Sequence, residues 1–315
     1  MALAPAIETL LRDLRAGAEI KNEAVTTLSD LDSEAAAALR DQWASIPPAQ
    51  RARLMEHAVE RFLTSIDVDF SRLALIALGD PEVRVRLAAV LALSESDTRE
   101  TADRLIQLAK TDPDESVQEA AIDALGRFVL LAELGTFSHS AGERIAETLR
   151  ALIGDPAAAI EIQAAAVEAL GPVTKPWVEP IINDAYFSDS RELRLAAITA
   201  MGRSADESWL ELLTEQLRSE DPEFRLEAAS ACGEIASTEA LAELVALFED
   251  DEPDVVFAAI SAVGAIGGPE ALSILDEFKA EAAEDLHEAI DLAKQDASDV
   301  KVRTGDDDDD DDDEW

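Results

Sequence analysis

The sequence predicts an all-α chain, an α-solenoid built as an array of helix pairs. Three observations predict it. Gly202, Gly233 and Gly264 recur every 31 residues. Before each runs an apolar segment: Leu193-Arg194-Leu195-Ala196-Ala197-Ile198, Phe224-Arg225-Leu226-Glu227-Ala228-Ala229 and Val255-Val256-Phe257-Ala258-Ala259-Ile260. A second ladder, Ile182, Leu213, Leu244 and Leu275, keeps the same step. Two helical ladders in one fixed period mark helix pairs that bury their apolar faces only by stacking on their neighbours.

Length and composition fit that class. A chain of 315 residues ordinarily suggests two domains. A repeat array escapes this arithmetic because each unit touches only its neighbours, so one elongated body is expected. Aromatics make up 4% while alanine and leucine abound, which suits helices packed on small side chains. Asp and Glu number 68 against 26 Lys and Arg, a formal charge of −42. Such a surface repels phosphate backbones and anionic headgroups, so neither direct nucleic-acid binding nor membrane binding is expected. Long-range electrostatics favours a basic protein as partner; the alternative is an acidic surface that only serves solubility. The lone Cys232 excludes an intramolecular disulfide and reads as a small buried hydrophobe. The first residues lack the basic-then-apolar order of a secretory signal, and no apolar run approaches a membrane span, so a cytoplasmic protein is expected.

Residues 1–78 read as an N-terminal helical cap with degenerate repeats. Ile7, Leu10, Leu11 and Leu14 fall at helical spacing, and Ser33 is placed to cap a helix holding Ala37, Leu39 and Trp43. Pro47-Pro48 starts the next helix, with Leu54, Ala58, Phe62 and Leu63 on its apolar side. Residues 79–265 form the repeat array. Asp80-Pro81 opens it; further copies start at Asp112-Pro113 and near Asp155-Pro156, Asp189, Asp221-Pro222 and Asp250. The aspartate can cap a helix whose first position the proline fills. Gly126, Gly171, Gly202, Gly233 and Gly264 are read as C-terminal caps of these second helices. The step from Gly126 to Gly171 is 45 residues, read as a lengthened helix followed by a loop. Partner helices are expected over 99–109, 142–153, 176–187, 206–217, 237–248 and 269–278. Residues 266–295 read as C-terminal capping helices. Residues 296–315 read as a disordered acidic tail, because like charges as dense as Asp306 to Asp313 cannot fold.

The pattern Asp-Pro-x-x-x-Val-Arg-x-x-Ala-Ala-x-x-Ala-Leu-Gly, opened by Asp80, Val85 and Arg86, resembles HEAT repeats over about residues 65–295. The 31-residue step is most similar to the bacterial HEAT-like repeats of the phycobilisome-lyase type. The resemblance implies a right-handed superhelix with the second helices lining its concave side. It also implies that Arg86, Arg194 and Arg225 pair with aspartates of neighbouring repeats instead of forming an anion site. Two enzymatic branches of the resemblance bear on function. HEAT-type deoxyhypusine hydroxylases hold di-iron through several His-Glu dipeptides; of His57, His139 and His287, only His287-Glu288 makes such a pair. HEAT-type bilin lyases attach a tetrapyrrole to a partner's cysteine, and no clear bilin-pocket signature is present. No phosphate loop, Cys/His cluster or Ser-His-Asp set is found, so no catalytic residue, metal or cofactor is assigned.

The expected function is therefore a non-catalytic protein-binding scaffold. Its candidate groove joins three rows that share the repeat period: Glu192, Glu223 and Asp254; Leu195, Leu226 and Phe257; Thr199, Ser230 and Ser261. Positions i−3, i and i+4 share one helix face, so the rows give an apolar stripe between acids and hydroxyls. That suits a basic segment with apolar anchors flanked by Lys or Arg. The alternative is a stripe packed against the next repeat. A second candidate is the tail motif Asp313, Glu314 and Trp315, whose ring and charge suit a basic, apolar pocket. Two other functions remain open: a bilin-lyase-like enzyme or chaperone, and an acidic chaperone or nucleic-acid mimic for a basic protein.

Overall fold

Residues 3–304 are described by a computed structural model. Among them the regular structure is α-helix with short 3-10 turns and no strand, so the chain is all-α. The tail motif Asp313, Glu314 and Trp315 lies outside the described residues. In place of the expected single body the chain divides into two compact units, Met1–Ala166 and Val167–Trp315. The boundary lies within the 45-residue step from Gly126 to Gly171.

The first unit contains α1 (Pro5–Arg15), α2 (Asn22–Val25), α3 (Ser33–Trp43), α4 (Pro48–Thr64), α5 (Ser71–Ala77), α6 (Val83–Leu91), α7 (Arg99–Thr111), α8 (Glu115–Glu133) and α9 (His139–Ile153). α1 buries Ile7, Leu10, Leu11 and Leu14, the stripe its spacing predicts. α3 is capped by Asp32 and not by Ser33: the carboxylate accepts from the backbone N–H of Glu34 and Ala35 at 3.0 and 2.7 Å. Pro48 begins α4, which buries Leu54 and Ala58, but Leu63 in its last turn is exposed. α8 is the lengthened helix, 19 residues long. It buries Phe128, whose ring meets Phe137 of the following loop edge-on at 5.1 Å.

The boundary between the units falls within α10 (Ile160–Leu170). The second unit continues with α11 (Val178–Tyr186), α12 (Arg191–Arg203), α13 (Leu210–Gln216), α14 (Pro222–Ile235), α15 (Leu241–Ala246), α16 (Pro253–Ile266), α17 (Gly268–Glu281) and α18 (His287–Thr304). α12, α14, α16 and α18 pack in sequence as one layer, and α11, α13, α15 and α17 each pack against the next member of it. The expected helices over 206–217 and 237–248 are partly 3-10: Glu207–Trp209 precedes α13, and Thr238–Ala240 and Leu247–Glu249 flank α15. α18 runs to Thr304, past the expected start of the tail, because Ile290, Ala293 and Ala297 give it a buried stripe.

Two sequence readings are corrected by this packing. Four of the five repeat glycines are not helix caps; only Gly171 directly follows the end of its helix, α10. Gly126, Gly202, Gly233 and Gly264 lie inside α8, α12, α14 and α16. In the second unit the glycines mark where adjacent layer helices touch. A β-carbon on Gly202 would fall 2.7 Å from Ala231 Cα, and one on Gly264 would fall 2.8 Å from Ala293 Cα. Each glycine meets the alanine two residues ahead of the next repeat's own position, so Ala-x-Gly is the unit of contact. Ala293 keeps α18 in that register although its repeat has no glycine.

The aspartates that open the repeats are likewise not uniformly helix caps. Asp221 is one: its carboxylate accepts from Glu223 N–H at 3.1 Å and Pro222 opens α14. At Asp80, Asp112 and Asp250 the aspartate stands ahead of the helix and accepts from the N–H two residues on, at 3.0 Å each. α6, α8 and α16 are then led by Glu82, Asp114 and Glu252. This turn frees the rest of each carboxylate for an arginine.

Candidate functional site

Arg86 and Arg225 form internal pairs, so they are not an anion site. Arg86 Nε and Nη2 each donate to Asp112 at 2.8 Å, and both side chains are buried. Arg225 grips Asp250 in the same two-pronged way, at 2.7 and 2.8 Å. The Nη1 of each also donates to a carbonyl of the loop before its own helix, Asp80 for Arg86 and Ser219 for Arg225, both at 2.8 Å. Arg194 departs from the implied ladder. Its guanidinium lies 5.2 Å from the centre of the Phe224 ring. Ser219 stands where Asp112 and Asp250 stand in their repeats. Arg191 compensates by binding Asp221 at 2.9 and 3.1 Å.

Sequence reasoning missed a further member. Arg51 donates to the fully buried side chain of Asp80 at 2.6 and 3.2 Å, and Trp43 Nε1 adds a third bond at 2.6 Å. α4 is thus a repeat helix inside the segment read as cap and degenerate repeats. Its signal was Pro47-Pro48 followed by an arginine, without the aspartate and valine of the other copies.

The candidate groove rests on α12, α14 and α16. Its apolar row is neither buried nor free: Leu195 and Leu226 are half-buried, and Phe257 is 39% exposed. Its acids face solvent and differ in state. Glu192 accepts the Ser190 hydroxyl at 2.7 Å, which holds its carboxyl below the ordinary range. Glu223 is held by Arg191. Asp254 is exposed. The hydroxyl row is partly satisfied within its own helices. Thr199 bonds the Leu195 carbonyl at 3.3 Å and Glu227 at 3.1 Å, and Ser230 bonds the Leu226 carbonyl at 3.1 Å.

Three of these residues, Ser230, Phe257 and Ser261, line one concavity of about 400 Å³ between α14 and α16. Gly233, Glu234, Ala258, Ala262 and Ala265 complete it. The rows for α12 and for Glu223, Leu226 and Asp254 are not part of that concavity. The unpredicted members follow from one more i+4 step: Ser230 to Glu234 and Ser261 to Ala265. The missing β-carbon of Gly233 and the small Ala258, Ala262 and Ala265 leave the floor open beside Phe257. Glu234 is the one carboxylate in the lining. Crowding by protein atoms raises its pKa; Arg203 opposes that shift and Glu227 adds to it. Cys232 of α14 is fully buried, with its thiol pushed up to about 12 by desolvation. Among the described residues no group of three or more His, Cys, Asp or Glu is placed to hold a metal ion. Among them also no helix is long and apolar enough to cross a membrane.

The family model of HEAT repeats matches residues 71–130, 178–256 and 210–293. The chain belongs to the HEAT-repeat family. No curated protein matches this HEAT-repeat chain in sequence. Among solved structures it is similar to the complex of CpcE and CpcF of phycocyanin lyase from a Nostoc species. That likeness has 16% identity, 89% of this chain and 95% of that one covered, and a TM-score of 0.54, and it shows a shared fold. Human deoxyhypusine hydroxylase in complex with glycerol is 18% identical, with 94% of this chain and 99% of that one covered and a TM-score of 0.36. An engineered protein is 20% identical over 93% of this chain and 88% of its own, with a TM-score of 0.41.

Proposed function

We propose that this HEAT-repeat protein is a non-catalytic cytoplasmic adaptor that seats a basic, amphipathic protein segment along α12, α14 and α16. The observation that carries the reading is Phe257. A phenylalanine 39% exposed in a stacked layer, over a floor of alanines and beside Glu234, offers an apolar anchor point next to a carboxylate. Leu195 and Leu226 extend the apolar line, with Glu192, Glu223 and Asp254 along one edge for Lys or Arg. Such a segment would use the helix-in-groove or extended mode of recognition, with charge steering its approach.

The test uses a synthetic peptide alternating lysine and leucine, titrated by fluorescence anisotropy at low and moderate salt. Phe257→Asp should weaken its binding about tenfold, equivalent to about 1.4 kcal/mol, while its glutamate counterpart should not bind. Equal affinity of Phe257→Asp and the parent would end the reading. Affinity purification with mass spectrometry on the parent and the variant would then name the partner.

The likeness in fold to phycocyanin lyase favours one second reading, a bilin-handling enzyme or chaperone. Added phycocyanobilin tests it: a red-shifted, protein-dependent absorption band would support this reading, and an unchanged free-pigment spectrum would dismiss it.

A further inference from the structure

The opposite layer of the second unit carries a larger hollow that the groove does not use. It encloses about 900 Å³ and is lined by Val245, Phe248, Ile274 and Phe278 with Glu249, Glu277 and Glu281. It lies between the end of α15, which closes in the 3-10 turn Leu247–Glu249, and the C-terminal half of α17. The floor is the Phe248–Phe278 pair, with ring centres 4.4 Å apart. Phe248 is buried and Phe278 only half-buried, so the second ring is the accessible one.

The charge around this floor is of one sign. Glu249, Glu277 and Glu281 are exposed, and among the described residues none of the three is held in an ion pair. The nearest cation in sequence, Lys279, is turned away and bound to Asp291 of α18. Elsewhere in the unit acids are neutralised by arginine, as at Asp221, Glu223 and Asp250. We infer that the α15–α17 hollow is a second docking surface, which takes one large apolar side chain of a protein segment with Lys or Arg on both flanks. The volume accepts an aromatic or leucine side chain with its neighbours. The carboxylates stand where the flanking cations would lie, and the apolar floor supplies what charge alone does not. This surface stands independently of the α12–α14–α16 groove.

The test is photo-cross-linking with a peptide that carries benzophenylalanine between paired lysines, with adducts mapped by proteolysis and mass spectrometry. Adducts are expected on residues 245–249 and 274–281. The double variant Glu277→Lys, Glu281→Lys should lower them about fivefold, as loss of two exposed charge pairs of about 0.5 kcal/mol each implies. Glu239→Lys with Glu270→Lys carries the same charge change at exposed positions outside the hollow and should leave them unchanged. Circular dichroism checks that each variant is folded, and Glu249→Lys replaces the double variant should that one unfold. Adducts confined to α14 and α16, or an equal loss with the control pair, would overturn the inference. Adducts on α15 and α17 with none on α14 and α16 would support it while counting against the groove.

Discussion

Gly233 of α14 lies against Ala262 of α16 so closely that a β-carbon on the glycine would fall 2.8 Å from the alanine Cα and 3.0 Å from its Cβ. The obstacle is backbone, which cannot swing aside as a flexible side chain would. Gly233→Ala gains helix propensity of about 1 kcal/mol but forces the two helices apart. The net expectation is a loss of about 1–3 kcal/mol. Gly79→Ala, whose new methyl would meet nothing nearer than 3.9 Å, should be close to neutral. Urea melts of the two variants check the contrast.

The buried and exposed arginine pairs should differ sharply. Arg86→Met strands the Asp112 carboxylate, 2% exposed, without its partner. Removal of one member of a buried pair costs about 3–5 kcal/mol. Arg191→Met opens a pair whose side chains are about two-fifths exposed, where water replaces the lost bonds and little stability changes. Similar losses in the two variants would refute the ladder as a buried scaffold.

Acid should weaken the second unit through Asp250. The hydrogen bond from Arg225 holds its carboxyl below the ordinary carboxylate range, with burial opposing the shift. A depressed carboxylate pKa contributes stability that is complete above the unfolded value and lost as pH falls through the folded one. The melting temperature should therefore drop below about pH 4, and Arg225→Met should remove this part of the slope. A parent and variant with parallel acid limbs would contradict the assignment.

The facing of α12 separates two charge changes. Ala197 is fully buried, so Ala197→Glu places an unpaired charge between helices and should cost about 3–5 kcal/mol. Glu192 is exposed and accepts a hydrogen bond from the neighbouring Ser190 hydroxyl, so Glu192→Lys should fold like the parent and bind the lysine–leucine peptide more weakly. Thermal melts and anisotropy together check both halves.

Cys232 should be inert while the chain is folded. Burial raises its thiol to about 12, so little thiolate is available at neutral pH. Ellman's reagent should react with it only in denaturant; rapid reaction of the native protein would mean that α14 is not packed as described.

The periodic part of this fold was legible because close packing enforces it. Alanine pairs and the glycine step are demanded by helices that touch, and they are visible in one sequence. Their local roles were not legible. A glycine near the end of an apolar helix reads equally as a cap or as a contact, and only the position of Ala231, Ala262 or Ala293 across the layer decides it. Arg51 escaped notice because a repeat can keep its ion pair after losing the residues that mark it. In the groove the shared offsets place Ser230, Phe257 and Ser261 along one concavity, whereas Glu234 stands outside the three rows. Its place depends on where the helix ends and how small the opposing alanines are, and both are properties of two helices at once.

The inward use of arginine has an outcome for how this molecule meets others. Guanidinium groups locked under the surface at Arg51, Arg86 and Arg225 do little to soften the exterior, whose excess of acids a cloud of small cations must balance. A cationic visitor would be drawn in by displacing that cloud, so its arrival rate should fall steeply with added salt while its residence time, set by the rings it reaches, should barely change.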